Sequence, residues 1–86
     1  MTITENQINL YKNHLISEEK SKVTVEKYIR DIAAFSEWLA DGELSKMVVL
    51  EYKNKLIAKY APATVNSVLA SLNGFFEFNE RYDLKA

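Results

Sequence analysis

Apolar side chains recur at three- and four-residue steps along most of the chain, which is the spacing of amphipathic α-helices. The longest such run follows Pro62, which suits a first helical turn because its missing N–H would have no partner there. One apolar stripe then comprises Val65, Val68, Leu69, Leu72, Phe75 and Phe76. We therefore predict a central helix over residues 62–80. Its predicted solvent side carries small neutral residues: Asn66, Ser67, Ser71, Asn73 and Gly74.

Three earlier segments show the same spacing and have their own start signals. Thr4 and Gln7 form a capping-box pair, and Ser21 is a suitable N-cap for the second segment. The third segment opens with a β-branched run, but the chain offers no second strand with which it could pair. The sequence thus predicts an all-α fold in one domain, with helices over residues 4–17, 21–40, 47–60 and 62–80. Its predicted centre comprises Ile32, Phe35, Leu69 and Leu72.

Finer predictions concern helix ends and faces. Gly42 is expected to end the second helix by taking a positive φ, and the residues after Glu80 are expected to begin a linker. The third helix is predicted to bury Leu50, Leu56, Ile57 and Tyr60. Spacing of i, i+4 predicts two ion pairs on the exposed side of the second helix: Glu26 with Arg30, and Lys27 with Asp31.

The second and fourth predicted helices share one template, in which Thr24-Val25 and Phe35 of the second correspond to Thr64-Val65 and Phe75 of the fourth. Two motifs on these helices are informative about family: Ser21-x-x-Thr24-x-x-x-Tyr28-x-x-Asp31-Ile32-x-x-Phe35-x-x-Trp38-Leu39, followed by Pro62-x-Thr64-x-Asn66-x-x-Leu69-x-x-Leu72-x-x-Phe75-Phe76. This pattern resembles the core-binding domain of tyrosine recombinases, the phage integrases. The resemblance implies an orthogonal four-helix SAM-like bundle that grips one recombination half-site, with its second and fourth helices at the major groove of double-stranded DNA. It further implies a catalytic domain outside these residues, with that domain and neighbouring recombinase protomers as partners.

Charge first argues against a nucleic-acid partner, because phosphate contacts need Lys and Arg and the net charge is −1. The distribution weakens that objection. Residues 20–30 and residues 46–59 each hold four basic side chains against one acidic one. The absence of Cys and of a signal peptide favours a cytoplasmic protein, and the longest uncharged run is too polar to cross a membrane. We expect the isolated domain to be monomeric.

The chain lacks the groupings that catalysis would need. His14 is the only histidine, and two glycines cannot supply a phosphate-binding loop. Tyrosine recombinases attack phosphate with a Tyr supported by Arg, Lys and His residues, whereas this chain has two arginines and no His-x-x-Arg. We therefore predict a non-catalytic domain with no cofactor and no metal site.

Eight residues are the candidates for DNA contact that the resemblance implies. They are Lys22, Thr24, Lys27 and Tyr28 on the second helix, and Thr64, Asn66, Ser67 and Asn73 on the fourth. Lysines supply charge to phosphates, Thr64 can hold a phosphate oxygen at a helix start, and Asn66 has the donor and acceptor that read adenine. The alternative is a protein-interaction or oligomerisation module that uses the small neutral residues of the fourth helix.

Overall fold

The computed structural model describes residues 2–86, which form four α-helices and a short 3₁₀ helix with no strand. The elements are α1 (Glu5–Ser17), α2 (Lys22–Leu39), α3 (Lys46–Lys59), α4 (Pro62–Phe78) and the 3₁₀ helix Tyr82–Leu84. The all-α prediction is confirmed, and each predicted helix end lies within two residues of the observed one.

Side-chain caps begin three of the four helices. Thr4, Ser21 and Ser45 each accept an N–H of the following first turn, as short polar N-caps do. Gln7 completes the predicted capping box because its Oε1 accepts the N–H of Thr4 at 2.8 Å. Helix α4 differs, since its N-cap is Ala61, which makes no side-chain cap hydrogen bond. The first N–H groups of α4 therefore have no capping side chain.

The apolar core is built around α4. The four residues predicted at its centre, Ile32, Phe35, Leu69 and Leu72, are each at most 5% exposed. The buried set also includes Tyr11, Leu15, Val25, Leu44, Val49, Tyr52, Leu56, Val65, Phe75, Phe76 and Leu84. Aromatic rings join the helices edge to face, and the Phe35 ring lies 4.8 Å from that of Tyr52 and 6.1 Å from that of Phe76 between centroids.

The buried face of α3 differs from the prediction. The structure buries Val49, Tyr52 and Leu56, which follow an i, i+3, i+7 line. Leu50 and Ile57 lie one residue further round the helix and are 41% and 55% exposed, so their predicted burial is wrong. Tyr60 is 44% exposed because α3 ends at Lys59 and Tyr60 already has extended backbone.

The turn after α2 is also built differently from the prediction. Ala40, rather than Gly42, takes the positive φ, with φ 53° and ψ −125°. The N–H of Gly42 donates to the carbonyl of Leu39 at 3.0 Å and closes the turn. Gly42 is needed there for another reason, because a Cβ would lie 2.9 Å from that same carbonyl oxygen.

The segment after Glu80 packs against the bundle, so the predicted linker is wrong for these residues. Leu84 is 0% exposed and belongs to the core between α3 and α4. The carboxamide of Asn73 accepts the N–H of Ala86 at 3.0 Å and donates to its carbonyl oxygen at 2.9 Å. The Lys46 ammonium also donates to the carbonyl of Lys85. An apolar anchor and backbone hydrogen bonds thus fix residues 82–86.

Two small residues of α4 face other helices, although the sequence predicted them on the solvent side. Ser71 is 0% exposed and faces α2. Gly74 meets α1, where a Cβ in its place would lie 2.5 Å from the hydroxyl oxygen of Tyr11. The Tyr11 hydroxyl therefore leaves no room for a Cβ at this position.

A double-mutant cycle tests this α1–α4 contact. We expect Gly74→Ala alone to lower the free energy of unfolding by about 1–3 kcal/mol, because moving the Tyr11 ring away would disturb its packing against Phe75 and Phe78. In a Tyr11→Phe background the nearest ring atom lies 3.7 Å away, an ordinary contact. There the same substitution should gain up to about 1 kcal/mol of helix propensity. Urea denaturation measures both changes, and an equal effect in the two backgrounds would contradict the contact.

Candidate nucleic-acid interface

Helices α2 and α4 pack directly against each other and leave a shallow groove that opens to solvent. We call it the α2–α4 groove. It is lined by Lys27, Arg30, Asp31, Ala63, Thr64, Ser67 and Val68. The two helices that the sequence pattern assigned to DNA therefore share one surface, and both contribute polar side chains to it.

Lys27 and Asp31 lie at the floor of this groove. The Lys27 Nζ is 2.6 Å from Asp31 Oδ2, and their side chains are 32% and 13% exposed. The same Nζ is 3.3 Å from the Ser67 carbonyl oxygen and 3.3 Å from Ser71 Oγ. Ser71 Oγ in turn donates to Asp31 Oδ2 at 2.8 Å. The predicted Lys27–Asp31 pair is confirmed, but its predicted place on an exposed face is wrong because α4 covers it.

Arg30 is the cation of the groove that faces solvent, and the sequence reasoning did not select it. It was expected to pair with Glu26, but Glu26 lies 3.9 Å from Lys22. Arg30 makes no ion pair with any other residue in 2–86 and shares the groove with Thr64. The sequence could have indicated Arg30, because it lies three residues after Lys27 and therefore on the same face of α2.

Thr64 and Ser67 lie on the α4 wall of the groove, close to the start of the helix. Thr64 is exposed and Ser67 is half-buried. Since Ala61 provides no cap, the first-turn N–H groups of α4 can donate to a ligand, and the positive end of the helix dipole lies there. This end of the groove therefore suits an anion such as a phosphate group.

Two other candidates lie on neighbouring surfaces. Asn66 is exposed on the opposite flank of α4, where Lys53 and Tyr60 border a second groove between α3 and α4. Lys22 lies at the junction of α1 and α2, near Lys20, and its side chain is 89% exposed. Lys53 belongs to the basic segment 46–59 and was not among the eight candidates from the sequence.

The remaining three candidates do not line the α2–α4 groove. The Thr24 hydroxyl accepts from the Ser21 hydroxyl at 2.9 Å, within the cap of α2. Tyr28 is half-buried against the core. The Asn73 carboxamide is occupied by the backbone of Ala86. Each of these side chains packs or forms hydrogen bonds within the chain, so we do not assign it to the DNA-binding surface.

Comparison with known proteins identifies the family. The model of the family "Phage integrase, N-terminal SAM-like domain" matches residues 8–82. This chain belongs to that family. The integrase domain is also similar to the tyrosine recombinase XerC of Treponema denticola, with 29% identity over 73 residues. That match covers 74% of this chain and 23% of the relative, so the chain spans about a quarter of the protein that it resembles. No solved structure matches the chain significantly.

The sequence resemblance is therefore confirmed as to family, and the helical bundle is that of a SAM-like domain. In the integrase domain, His14 lies 2.9 Å from Glu18 and packs on the Phe78 ring, 4.7 Å between centroids. Among residues 2–86, no group of three or more His, Cys, Asp or Glu side chains could hold a metal ion. The described helices also include none that is long and apolar enough to span a membrane.

Two tyrosines of the integrase domain, Tyr11 and Tyr52, are buried and have raised pKa values. Burial, with a smaller contribution from Tyr28, raises the pKa of Tyr11 to about 12. Burial, followed by the charge of Asp31, also raises the pKa of Tyr52. A nucleophilic tyrosine needs its phenolate form, and a raised pKa makes that form rarer at neutral pH.

The raised pKa of Tyr11 predicts a loss of stability at alkaline pH. The unfolded chain releases this proton near pH 10 and the folded chain near pH 12, so the contribution is complete below pH 10 and is lost between them. We expect the free energy of unfolding to fall by about 2 kcal/mol across that interval. Urea denaturation at pH 9, 10 and 11 measures the first part of this loss, which should reach about 1 kcal/mol by pH 11. Tyr11→Phe should show a flatter decline, and parallel declines would contradict the assignment.

Proposed function

We propose that this domain binds the duplex DNA of a recombination half-site through the α2–α4 groove and holds it for a catalytic domain. Membership of the integrase family supports a role in recombination. The observation that carries the proposal is the lining of the groove. The solvent-facing Arg30 lines it together with Ala63 and Thr64, which belong to the first turn of α4, a helix without a side-chain cap.

The groups around this point match the chemistry of a DNA backbone. The Arg30 guanidinium can make charged hydrogen bonds to a phosphate, and the first N–H groups of α4 can donate to the same or the next phosphate. Thr64 and Ser67 add neutral hydrogen bonds that fix orientation. Asn66, on the other flank of the exposed helix start, is the candidate for reading a base edge in the major groove.

Binding by the isolated domain is expected to be weak. The net charge is −1, and Asp31 places a carboxylate at the floor of the groove. Besides Lys27, which is paired with Asp31, the groove is lined by one cation, Arg30, and Lys22 and Lys53 line two other grooves. About three phosphate contacts would give a slope of roughly −3 in a plot of log K against log[salt]. A tethered catalytic domain would offset this weakness by raising the effective concentration.

Fluorescence anisotropy with a labelled duplex of about 20 base pairs tests the proposal over a series of salt concentrations. We expect binding at about 50 mM salt that weakens with a slope near −3. Absence of binding at low salt, or binding that does not respond to salt, would refute it.

We further propose that the domain does not itself cut or join DNA. Its tyrosines lack a supporting group of Arg, Lys and His residues in the described part of the chain. Supercoiled plasmid incubated with the purified domain and Mg²⁺ should stay intact. Nicking that survives removal of contaminating nuclease, and that disappears when one tyrosine is changed to phenylalanine, would contradict this.

A protein partner is the second candidate function, and one specific observation favours it. The apolar side chains Met47, Leu50 and Ile57 of α3 are 72%, 41% and 55% exposed. Exposed apolar surface of this kind suits a contact with another protein, such as a neighbouring protomer or a catalytic domain. The sequence had predicted a protein contact through the small neutral residues of α4. That surface is wrong, because Ser71, Asn73 and Gly74 already pack within the chain.

A further inference from the structure

We infer that Lys27, although it lies in the α2–α4 groove, is a positioning residue and does not bind phosphate. Together with Asp31, Ser67 and Ser71 it forms what we call the clasp, which fixes the spacing of the two helices that present DNA-binding groups. The inference rests on the proposed function, because it assigns a role within the proposed DNA surface.

The geometry of the Lys27 ammonium carries the argument. A lysine ammonium has three N–H donors, and the Lys27 Nζ has three acceptors within reach: Asp31 Oδ2 at 2.6 Å, the Ser67 carbonyl at 3.3 Å and Ser71 Oγ at 3.3 Å. Two of these acceptors belong to α4, so the ammonium connects α2 to α4. A phosphate could bind Lys27 only by displacing one of them.

The partners of Lys27 depend on it in turn. Asp31 is only 13% exposed at its side chain, and Ser71 is 0% exposed. Removing the ammonium would leave a mostly buried carboxylate with only the Ser71 hydroxyl as its partner. The clasp therefore stabilises the α2–α4 contact, while the solvent-facing Arg30 supplies the charge that meets DNA.

Thermal unfolding and salt-dependent duplex binding separate the two roles when they are measured on matched variants. Lys27→Met, which keeps the aliphatic stem, should lower Tm by about 5 °C or more and leave the salt slope unchanged. Arg30→Met should do the opposite, leaving Tm unchanged and making the slope shallower by about 0.9.

Asp31→Asn gives a complementary result. Removing this carboxylate should lower Tm and also release the ammonium toward the groove, so that the slope becomes steeper by about 0.9. Asp83→Asn is the matched control, because it makes the same change of charge at a side chain that is 63% exposed and paired with Arg81. The control should leave the slope unchanged.

A measurement on the unmodified protein keeps the inference testable if Lys27→Met does not fold. In ¹H–¹⁵N spectra of lysine ammonium groups, the Lys27 signal should be protected from exchange with water and should not shift when duplex is added. A signal that exchanges as fast as that of Lys22, or that moves with added duplex, would overturn the inference.

The same measurements distinguish a failure of the proposed DNA binding from a failure of the clasp. A wild-type domain that binds no duplex at low salt would refute the proposed function and with it the DNA role of the clasp. Normal wild-type binding, combined with a shallower slope and an unchanged Tm for Lys27→Met, would refute the clasp alone.

Discussion

Replacing Leu72 by alanine is expected to lower the free energy of unfolding by about 2–5 kcal/mol. Leu72 is 1% exposed in the middle of α4, the helix around which the core is built. Truncation loses the transfer free energy of the removed atoms and leaves a cavity that the rigid surroundings fill only in part. Because a domain of this size is stabilised by only about 4–13 kcal/mol in total, the variant should lie close to the unfolding threshold.

Urea denaturation followed by circular dichroism measures this loss, and Leu50→Ala is the matched control. It makes the same change of side chain on α3, where Leu50 is 41% exposed. We expect the control to lose less than about 1 kcal/mol, because much of its apolar surface is already in water. Similar losses at the two positions would show that the buried faces of α3 and α4 are wrongly assigned.

The second large effect is expected from charge reversal at Arg30. Arg30→Glu should weaken duplex binding at least tenfold at about 50 mM salt, since it removes a charged hydrogen bond of about 1.5–3 kcal/mol and adds repulsion to phosphate. The fold should be unaffected, because Arg30 is exposed and makes no ion pair within residues 2–86.

Lys55→Glu is the control for this reversal, with the same change in net charge at a different place. Lys55 lies over the Trp38 ring, 6.0 Å from its centroid, near the C-terminal end of α2 and away from the α2–α4 groove. We expect its effect on binding to be less than threefold at the same salt concentration. Equal weakening by Arg30→Glu and Lys55→Glu would mean that only net charge matters and that the groove has no special part.

The helices were predictable because their signals are local. Caps such as Thr4 and Ser21 act within one turn, and the stripe on α4 is long enough to define a single face. The inward face of α3 was not predictable by the same means. Two adjacent faces of this helix are apolar, one with Val49 and Leu56 and the other with Leu50 and Ile57. Only contact with the other helices decides that the face of Val49 is the buried one.

The pair of helices that carries the proposed site was predictable, but the contacts of its side chains were not. The family resemblance implied α2 and α4, and these two helices pack together in the structure. The sequence could not show that Lys27 is held by Ser71, since that contact joins residues 44 positions apart. In the same way, Asn73 is occupied by Ala86 only because the end of the chain folds back onto α4. Long-range contacts thus decide which polar side chains remain available.

The most direct test of the central claim is a ¹H–¹⁵N NMR titration of the labelled domain with duplex DNA at low salt. Binding through the α2–α4 groove predicts that the amide shifts cluster at Arg30, Ala63, Thr64 and Ser67, and that these shifts diminish when the titration is repeated with Arg30→Glu. Shifts that cluster instead on the exposed apolar face of α3, or no shifts at all, would contradict the assignment of this groove to DNA.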